Sequence, residues 1–184
     1  MHLSYKLVRD NIGYVIQDNF IFSDTIEKNI AFAYNEVDFK KVEAASKLAD
    51  LDSNINDFQN KYKTVLGERG VTLSGGQKQR LSIARALLKD PKILILDDSM
   101  SAVDTKTEDD ILSNLRKIRA GKTTIMIAHR ISTVSTLDKI IVIEDGMISG
   151  IGKHDDLLKS NKIYSELNRL QELEKEVNGG VINE

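Results

Sequence analysis

The sequence predicts an α/β fold with a mostly parallel sheet and an inserted α-helical subdomain. Short runs rich in Ile and Val alternate with longer segments of helical period. The candidate strands are Gly13–Ile16, Lys92–Leu96, Thr123–Ala128, Lys139–Ile143 and Met147–Ile151. The middle three are nearly continuous apolar runs, which is typical of parallel strands covered on both faces.

A helix is predicted between the second and third of these strands. In Thr105–Ile118, one helical face is apolar and consists of Ile111, Leu112, Leu115 and Ile118. Thr105 with Glu108 three residues later predicts a capping box at its start. Strand, helix and strand then form a unit whose crossover we expect to be right-handed.

The inserted segment, from about residue 36 to residue 89, contains no strand-like run. Val42, Ala45 and Ala49 form an apolar stripe, Asp52–Lys63 is predicted as a polar connection, and a helix is predicted over Ser74–Lys89. Two closing helices follow the last strand. They are predicted over His154–Ser160 and Ile163–Glu176, and the run Asn178-Gly179-Gly180 is predicted to end the second.

Composition and charge exclude several classes of protein. In 184 residues, 26 Lys and Arg stand against 28 Asp and Glu, a net charge of −2, which argues against a nucleic-acid partner. The chain has no cysteine, which excludes disulfides and thiolate chemistry, and its three histidines are scattered. Its apolar runs fall short of the roughly 18 residues of a membrane span. We expect a reducing, cytosolic compartment.

Polar side chains follow several of the predicted strands. Asp97 and Asp98 end one strand, Gln17 follows the first, and His129 comes directly after Thr123–Ala128. In open α/β sheets ligands bind at the carboxyl ends of the strands, where a carboxylate can hold Mg²⁺ and its neighbour can orient a water. The alternative is that Asp98 or Ser99 merely caps the next turn.

The segment Leu73-Ser74-Gly75-Gly76-Gln77 opens a predicted helix. Ser74 and Gln77 predict a capping box, which is the purely structural interpretation. Two consecutive glycines weaken a first turn, but they leave bare N–H groups at the positive end of the helix dipole, where an anion can approach closely. Lys78 and Arg80 add cationic character. Phosphate contact therefore remains the alternative interpretation.

Together these motifs resemble the nucleotide-binding domain of ABC transporters, from about Leu7 to Gln171. The matching segments are Gln17 (Q-loop), Leu73–Gln77 (signature motif), Asp97-Asp98 (end of the Walker B strand), Ser101–Asp104 (D-loop) and His129 (switch histidine). Asp18–Ile30 and Val65–Gly70 further resemble the permease-fused multidrug and lipid exporters of that family. The resemblance implies a P-loop NTPase (RecA/F1-like) fold.

The resemblance also implies cofactors, partners and roles for single residues. ATP and Mg²⁺ are the implied cofactors, with Asp97 and Gln17 at the metal, and with Asp98, His129 and Gln17 in hydrolysis. Ser74, Gly75, Gly76 and Gln77 would bind nucleotide held by a second nucleotide-binding domain, and the D-loop would contribute Ser101 and Asp104. Gly67, Glu68 and Arg69 would contact the transmembrane domain of the exporter.

The resemblance further predicts domain boundaries and a location. A partial ATP-binding core with the Q-loop is expected over 1–35, a helical subdomain over 36–90, the rest of the core over 91–152, and C-terminal helices with a loose tail over 153–184. The transmembrane domain would hold the chain at the cytoplasmic face of the plasma (inner) membrane. Alone, we expect it to be soluble.

The family's P-loop, G-x-x-x-x-G-K-[ST], does not occur in the sequence. The one similar run, Gly121-Lys122-Thr123, has Arg116 where the first glycine belongs and leads from a helix into a strand. We therefore expect an incomplete sheet, because the P-loop strand of the family lies between the strand that ends at His129 and Lys139–Ile143. Those two strands would either close up or leave a gap. We also expect this polypeptide alone to bind MgATP barely, if at all, and to be inactive.

Asp98 stands where the family usually has glutamate. A side chain one methylene shorter predicts a slow or regulatory ATP site. The leading hypothesis is the C-terminal part of an exporter ATPase domain that works as a head-to-tail homo- or heterodimer. One alternative is a non-hydrolytic partner that donates only its signature motif. Another is a soluble ABC protein of DNA repair or translation, which the exporter-like loop and near-neutral charge disfavour.

Overall fold

The computed structural model describes residues 4–67 and 71–179. The chain divides into two compact units, Met1–Ile127 and Ala128–Glu184. Each unit contains several helices and one small sheet. None of the helices in the described ranges has both the length and the hydropathy that crossing a membrane requires.

A parallel sheet of three strands forms the centre of the first unit. The strands are β1 (Ile12–Val15), β2 (Ile93–Asp97) and β3 (Thr123–Ile127), in that order. All pairs are parallel, which confirms the predicted mostly parallel α/β core to within one residue at each strand end. The carboxyl ends of all three strands consequently lie at one edge.

Helices make up most of the rest of the first unit. They are α1 (Tyr5–Asn11), α2 (Ile26–Ile30), α3 (Phe39–Leu48), α4 (Asp52–Asp57), α5 (Gly75–Leu88) and α6 (Thr105–Ile118), with a 3₁₀ turn at Lys61–Lys63. The predicted polar connection over Asp52–Lys63 is thus partly helical. The capping box predicted at Thr105 is also wrong, because Asp104 is the N-cap and its side chain accepts a hydrogen bond from the Thr107 N–H at 3.0 Å.

Within the described residues of the first unit, side chains pack on one face of the parallel sheet. Val15, Leu94 and Leu96 are fully buried in a core that includes side chains of α5 and α6. On the opposite face Tyr14 is 54% exposed and Ile127 is 49% exposed. The prediction of cover on both faces is therefore wrong within this unit, although the apolar character that suggested it is present on both sides.

The second unit contains an antiparallel hairpin with three helices. The elements are α7 (Ile131–Val134), β4 (Ile140–Glu144), β5 (Met147–Gly152), α8 (His154–Ser160) and α9 (Lys162–Gly179). β4 pairs with β5 and not with the parallel sheet, so the strand predicted over Lys139–Ile143 is not parallel. Asp145 and Gly146 have φ of 48° and 76°, and two such residues form the tight hairpin turn that joins antiparallel strands.

The described strands form two separate sheets. Among the described strands, β3 pairs only with β2, and β4 pairs only with β5. The predicted end of the last helix also differs, because α9 continues through Asn178 to Gly179. Leu167, Leu170 and Leu173 of α9 are exposed, whereas Tyr164 of the same helix is buried in the core of the second unit.

Arg119, at the C-cap of α6, joins the amino ends of β2 and β3. Its guanidinium is buried and donates to the carbonyl oxygens of Pro91, Lys92 and Thr123 and to the Thr124 hydroxyl. Burial lowers the pKa of the guanidinium from its ordinary value. Sequence analysis did not single out this residue, because Pro91 and Lys92 lie 28 and 27 positions before it and meet it only in the folded chain.

Replacing Arg119 by Met is expected to lower the free energy of unfolding by about 2 kcal/mol, because the buried Pro91 carbonyl and the partly buried Lys92 and Thr123 carbonyls lose a donor. Urea denaturation followed by circular dichroism measures the change. Lys117→Met, at an exposed position on the last turn of the same helix, is the matched control and should unfold at the wild-type midpoint. Equal midpoints for the two variants would contradict the assignment.

Candidate functional site

Two of the predicted site residues meet at the carboxyl ends of β1 and β2. Gln17, two residues after β1, donates a hydrogen bond from Nε2 to Asp98 Oδ2 at 3.5 Å. Val15 pairs with Leu96 in the sheet, so parallel pairing brings the two chain segments out at the same edge. The expectation that strand-end polar side chains converge is met for this pair.

Asp97, the last residue of β2, has a partner that sequence analysis missed. The Tyr14 hydroxyl donates to Asp97 Oδ2 at 2.9 Å. This hydrogen bond to the carboxylate raises the pKa of the Tyr14 phenol, because only the protonated phenol can donate it. The two-residue period of a strand could have predicted this contact. Tyr14 pairs with Ile95, and Asp97 lies two residues after Ile95, so Tyr14 and Asp97 lie on the same face of the sheet.

The backbone at Asp98 adopts an uncommon conformation. Its φ is 43°, in the left-handed region that few non-glycine residues occupy. The Asp98 N–H donates to the Ile127 carbonyl at 2.9 Å, and the Ser101 hydroxyl donates to the Asp98 carbonyl at 3.0 Å. The next helix is capped by Asp104, and Asp98 or Ser99 as a cap of the turn before that helix stays the alternative.

Ser101 and Asp104, predicted as D-loop residues, both lie in the loop between β2 and α6. Ser101 contacts Asp98 as described, and Asp104 caps α6. Hydrogen bonds from the Thr107 backbone and side chain lower the pKa of the Asp104 carboxyl. The carboxylate form of Asp104 is consequently favoured, as expected at the positive end of a helix.

The signature segment forms the start of α5 as predicted. The capping box is present: Ser74 Oγ accepts from the Gln77 N–H at 3.2 Å, and Gln77 Oε1 accepts from the Ser74 N–H at 3.0 Å. Ser74 and Gly75 are exposed. Gly75 and Gly76 begin the helix, so their N–H groups have no carbonyl acceptor within it and can be offered to an anion.

Arg80 is not a free cation, and its Nε donates to the Gly76 carbonyl at 3.4 Å. Its guanidinium donates to the Asp50 carbonyl and lies 3.7 Å from the Asp50 carboxylate. Burial lowers the pKa of this guanidinium, and Asp50 partly offsets that effect. The cationic contribution expected of Arg80 is therefore directed toward Asp50.

The remaining predicted residues fall in three different situations. His129 belongs to the second unit, where its carbonyl accepts from Gln171 Nε2 at 2.8 Å. Gly67 has φ of 104° and lines a cavity of about 330 Å³ together with Phe20. Glu68 and Arg69 lie outside the described residues.

Gly121-Lys122, the only run similar to a P-loop, is a turn between α6 and β3. Gly121 has φ of 75°, and Lys122 Nζ pairs with Asp90 at 2.5 Å. A P-loop leads from a strand into a helix, whereas this segment leads from a helix into a strand. The interpretation of it as a helix-ending glycine with a basic neighbour is confirmed.

Asp97, Asp98 and Gln17 offer donors suited to Mg²⁺. Carboxylate and amide oxygens are hard ligands, and proteins usually hold Mg²⁺ through one or two carboxylates together with substrate phosphates. Within the described ranges, no group of three or more His, Cys, Asp or Glu side chains could enclose a metal by itself. The donor set therefore fits a metal shared with a phosphate ligand rather than a metal held only by protein.

This sheet edge with its acidic pair, joined to a glycine-rich helix start, is the architecture of an ATP-binding cassette. The ABC transporter family model matches residues 2–101, more than half of the chain, and the chain belongs to this family. The fold is that of a P-loop NTPase, and the chain is related to exporters, as the comparisons with individual proteins show.

Individual relatives place the chain among exporter proteins. It is 45% identical over 173 residues to the probable multidrug resistance ABC transporter ATP-binding/permease protein YheI of Bacillus subtilis, covering 94% of this chain and 30% of YheI. It is 47% identical to the mitochondrial potassium channel ATP-binding subunit of Xenopus tropicalis, covering 90% of this chain and 24% of that protein. The chain thus spans less than a third of these relatives.

A solved structure gives the same result. A bacterial Atm1-family ABC exporter with ATP bound superposes with a TM-score of 0.87 at 43% sequence identity, covering 92% of this chain and 30% of that chain. Both the fold and the ABC exporter relationship are therefore established, and ATP binding is the property that this family shares.

Proposed function

We propose that this chain is the C-terminal part of the ATP-binding domain of an ABC exporter, and that it couples ATP hydrolysis to transport across a membrane. The observation that carries the proposal is the meeting of Gln17 and Asp98 at the end of the parallel sheet. A nucleotide phosphate bound there would face an amide and two carboxylates, the groups that Mg²⁺-dependent phosphoryl transfer uses.

Each side chain then has a distinct task. Asp97 and Gln17 would hold Mg²⁺, which when bound neutralises charge on the phosphates. Asp98 would accept a hydrogen bond from the attacking water and orient it, and His129 would assist at the same phosphate. The Tyr14 hydroxyl, which donates to Asp97 Oδ2, would orient the Asp97 carboxylate at the sheet edge.

The partner in this proposal is a second nucleotide-binding domain, identical or homologous. Ser74, Gly75, Gly76 and Gln77 would contact the nucleotide held by that partner, because the exposed start of α5 directs N–H groups outward. Two sites would then form head to tail, each using one signature motif and one Walker B strand.

The second proposed partner is the transmembrane domain of the exporter. The loop with Gly67, Glu68 and Arg69 would contact it, and the cavity beside Gly67 and Phe20 would receive part of it. This places the chain at the cytoplasmic face of a plasma (inner) membrane through its partner. Nucleic acid is not a partner in this proposal, since the net charge is −2.

One observation favours a second candidate, a non-hydrolytic chain that only donates its signature motif. Asp98 is shorter than the glutamate that the family usually has at this position, and a misplaced carboxylate orients water poorly. In such a chain the start of α5 would serve the partner's nucleotide while its own Walker B strand stayed idle.

A chimera tests the proposal. The matching segment of YheI is replaced by this chain, and ATP hydrolysis is measured in the purified protein. We expect turnover that depends on Mg²⁺ and disappears in the Asp97→Ala variant, which serves as the background control. Nucleotide binding without turnover in the chimera would favour the signature donor, and a folded chimera that neither binds nor hydrolyses ATP would refute the proposal.

A further inference from the structure

Gln79, in the second turn of α5, is buried and makes three hydrogen bonds to the loop that follows β2. Its Nε2 donates to the Asp98 carbonyl at 3.4 Å and to Ser101 Oγ at 3.0 Å. Its Oε1 accepts from the Ala102 N–H at 2.9 Å. The side chain is 6% exposed. One amide thus uses both donor and acceptor atoms on a single short segment, 98–102.

Gly76 shows how closely this loop approaches α5. A Cβ added at Gly76 would lie 2.7 Å from the Ala102 carbonyl oxygen, which is closer than real Cβ contacts allow. Gly76 is one turn before Gln79, so the two positions lie on the same side of the helix. The absence of a side chain at Gly76 lets the loop lie against the helix where Gln79 can hold it.

Asp98 is the residue in this loop that most needs support. A non-glycine residue with φ of 43° persists only when its surroundings hold it in place. Its N–H is fixed by Ile127 on β3, and its carbonyl is fixed by Ser101 and Gln79. Gln79 contacts the backbone of Asp98 and leaves the carboxylate to Gln17.

We propose that Gln79 is a positioning residue: it holds the Asp98 backbone in its left-handed conformation and ties this candidate catalytic acid to the signature helix. The catalytic part rests on the proposed function. The same helix carries Gly75 and Gly76 at its start. A shift of the start of α5 on nucleotide binding would therefore move the backbone of Asp98 through this amide.

The structural part is tested on the full chain without nucleotide. Gln79→Met keeps the length of the side chain and removes its hydrogen-bonding atoms. We expect exchange of the Ala102 amide hydrogen, followed by NMR, to become about tenfold faster, as for the loss of one hydrogen bond. Core amides of α3 should keep their rates. Unchanged protection of Ala102 would overturn the proposal.

Ser82→Ala is the matched control, one turn further along α5. The Ser82 hydroxyl is buried and has no hydrogen-bond partner within the described part of the chain. Its removal should leave the Ala102 exchange rate unchanged. A similar acceleration in both variants would show that any change in the buried face of α5 loosens the loop, and the specific role of Gln79 would be refuted.

Gln79→Glu separates anchoring of the loop from positioning of Asp98, and it carries the test if Gln79→Met does not fold. An ionised Glu can accept from the Ala102 N–H, but it cannot donate to the Asp98 carbonyl. In the YheI chimera at about pH 8, we expect the Ala102 amide hydrogen to exchange as slowly as in the wild type. We expect kcat to fall about tenfold, with KM for ATP unchanged. Wild-type kcat in this variant would mean that Gln79 only anchors the loop.

The two proposals fail in different ways. A wild-type chimera without ATPase activity removes the proposed function, and the Ala102 exchange result is unaffected by it. An active chimera with unchanged Ala102 exchange in Gln79→Met removes the role of Gln79 and leaves the proposed function in place.

Discussion

Joining this chain to a P-loop segment is expected to raise its affinity for MgATP about a thousandfold. The P-loop of the family supplies a nest of backbone N–H groups and a lysine to the phosphates. Charge-assisted hydrogen bonds contribute about 1.5–3 kcal/mol each, so two or three of them amount to roughly 4 kcal/mol or more. The sequence of this chain contains no G-x-x-x-x-G-K-[ST] motif. The side chains at the carboxyl edge of its parallel sheet include the carboxylates of Asp97 and Asp98.

Isothermal titration calorimetry makes the comparison directly. The 184-residue chain and the YheI chimera are titrated with MgATP under the same conditions, and the chimera is expected to give saturable binding that the chain alone does not. An Asp97→Asn chimera controls for metal-dependent binding, since it removes one candidate ligand of Mg²⁺. Saturable micromolar binding by the chain alone would defeat this prediction.

Asp98→Glu is expected to increase the ATP turnover of the chimera, by up to about a hundredfold. A displacement near 1 Å of a catalytic group can cost about that factor in rate, and the added methylene moves the carboxylate outward from the strand end. The structure favours this reading, because the Asp98 backbone is fixed by hydrogen bonds from both sides and cannot advance to compensate.

Steady-state kcat for wild type, Asp98→Glu and Asp98→Asn decides the question. Asp98→Asn keeps the shorter side chain and removes its charge, so it should be the slowest of the three. If Asp98→Glu left kcat unchanged or lowered it, Asp98 would not limit the rate, and the hypothesis of a slow site built on Asp97 and Asp98 would have to be given up.

The parts of the fold that the sequence predicted are those that depend on neighbouring residues. The bounds of α6 follow from helical period, and the start of α5 follows from the Ser74–Gln77 capping box, which involves only four neighbouring residues. The three parallel strands follow from apolar runs. The pairing of Gln17 with Asp98 was also within reach, because parallel strands bring their carboxyl ends to one edge.

Other features depended on contacts between distant residues. The sequence carried the Asp145-Gly146 hairpin signal, but the apolar run before it equally suited a parallel strand, and only pairing with β5 decided between them. Arg119 gave no signal, because its acceptors include Pro91 and Lys92, which lie just before β2 and far from Arg119 in sequence. Likewise, apolar runs do not say how many faces of a sheet are covered.

The sequence by itself predicted the class of this protein, since the signature motif and the strand-end acids are short segments that resemble those of a known family. Only the tertiary structure determined how those segments are held: the left-handed backbone of Asp98, the Tyr14 hydrogen bond to Asp97 and the amide of Gln79. The physical reason is that the hydrogen-bond partners of these groups lie up to 83 positions away in the chain. The sequence does not indicate which distant residues will be paired.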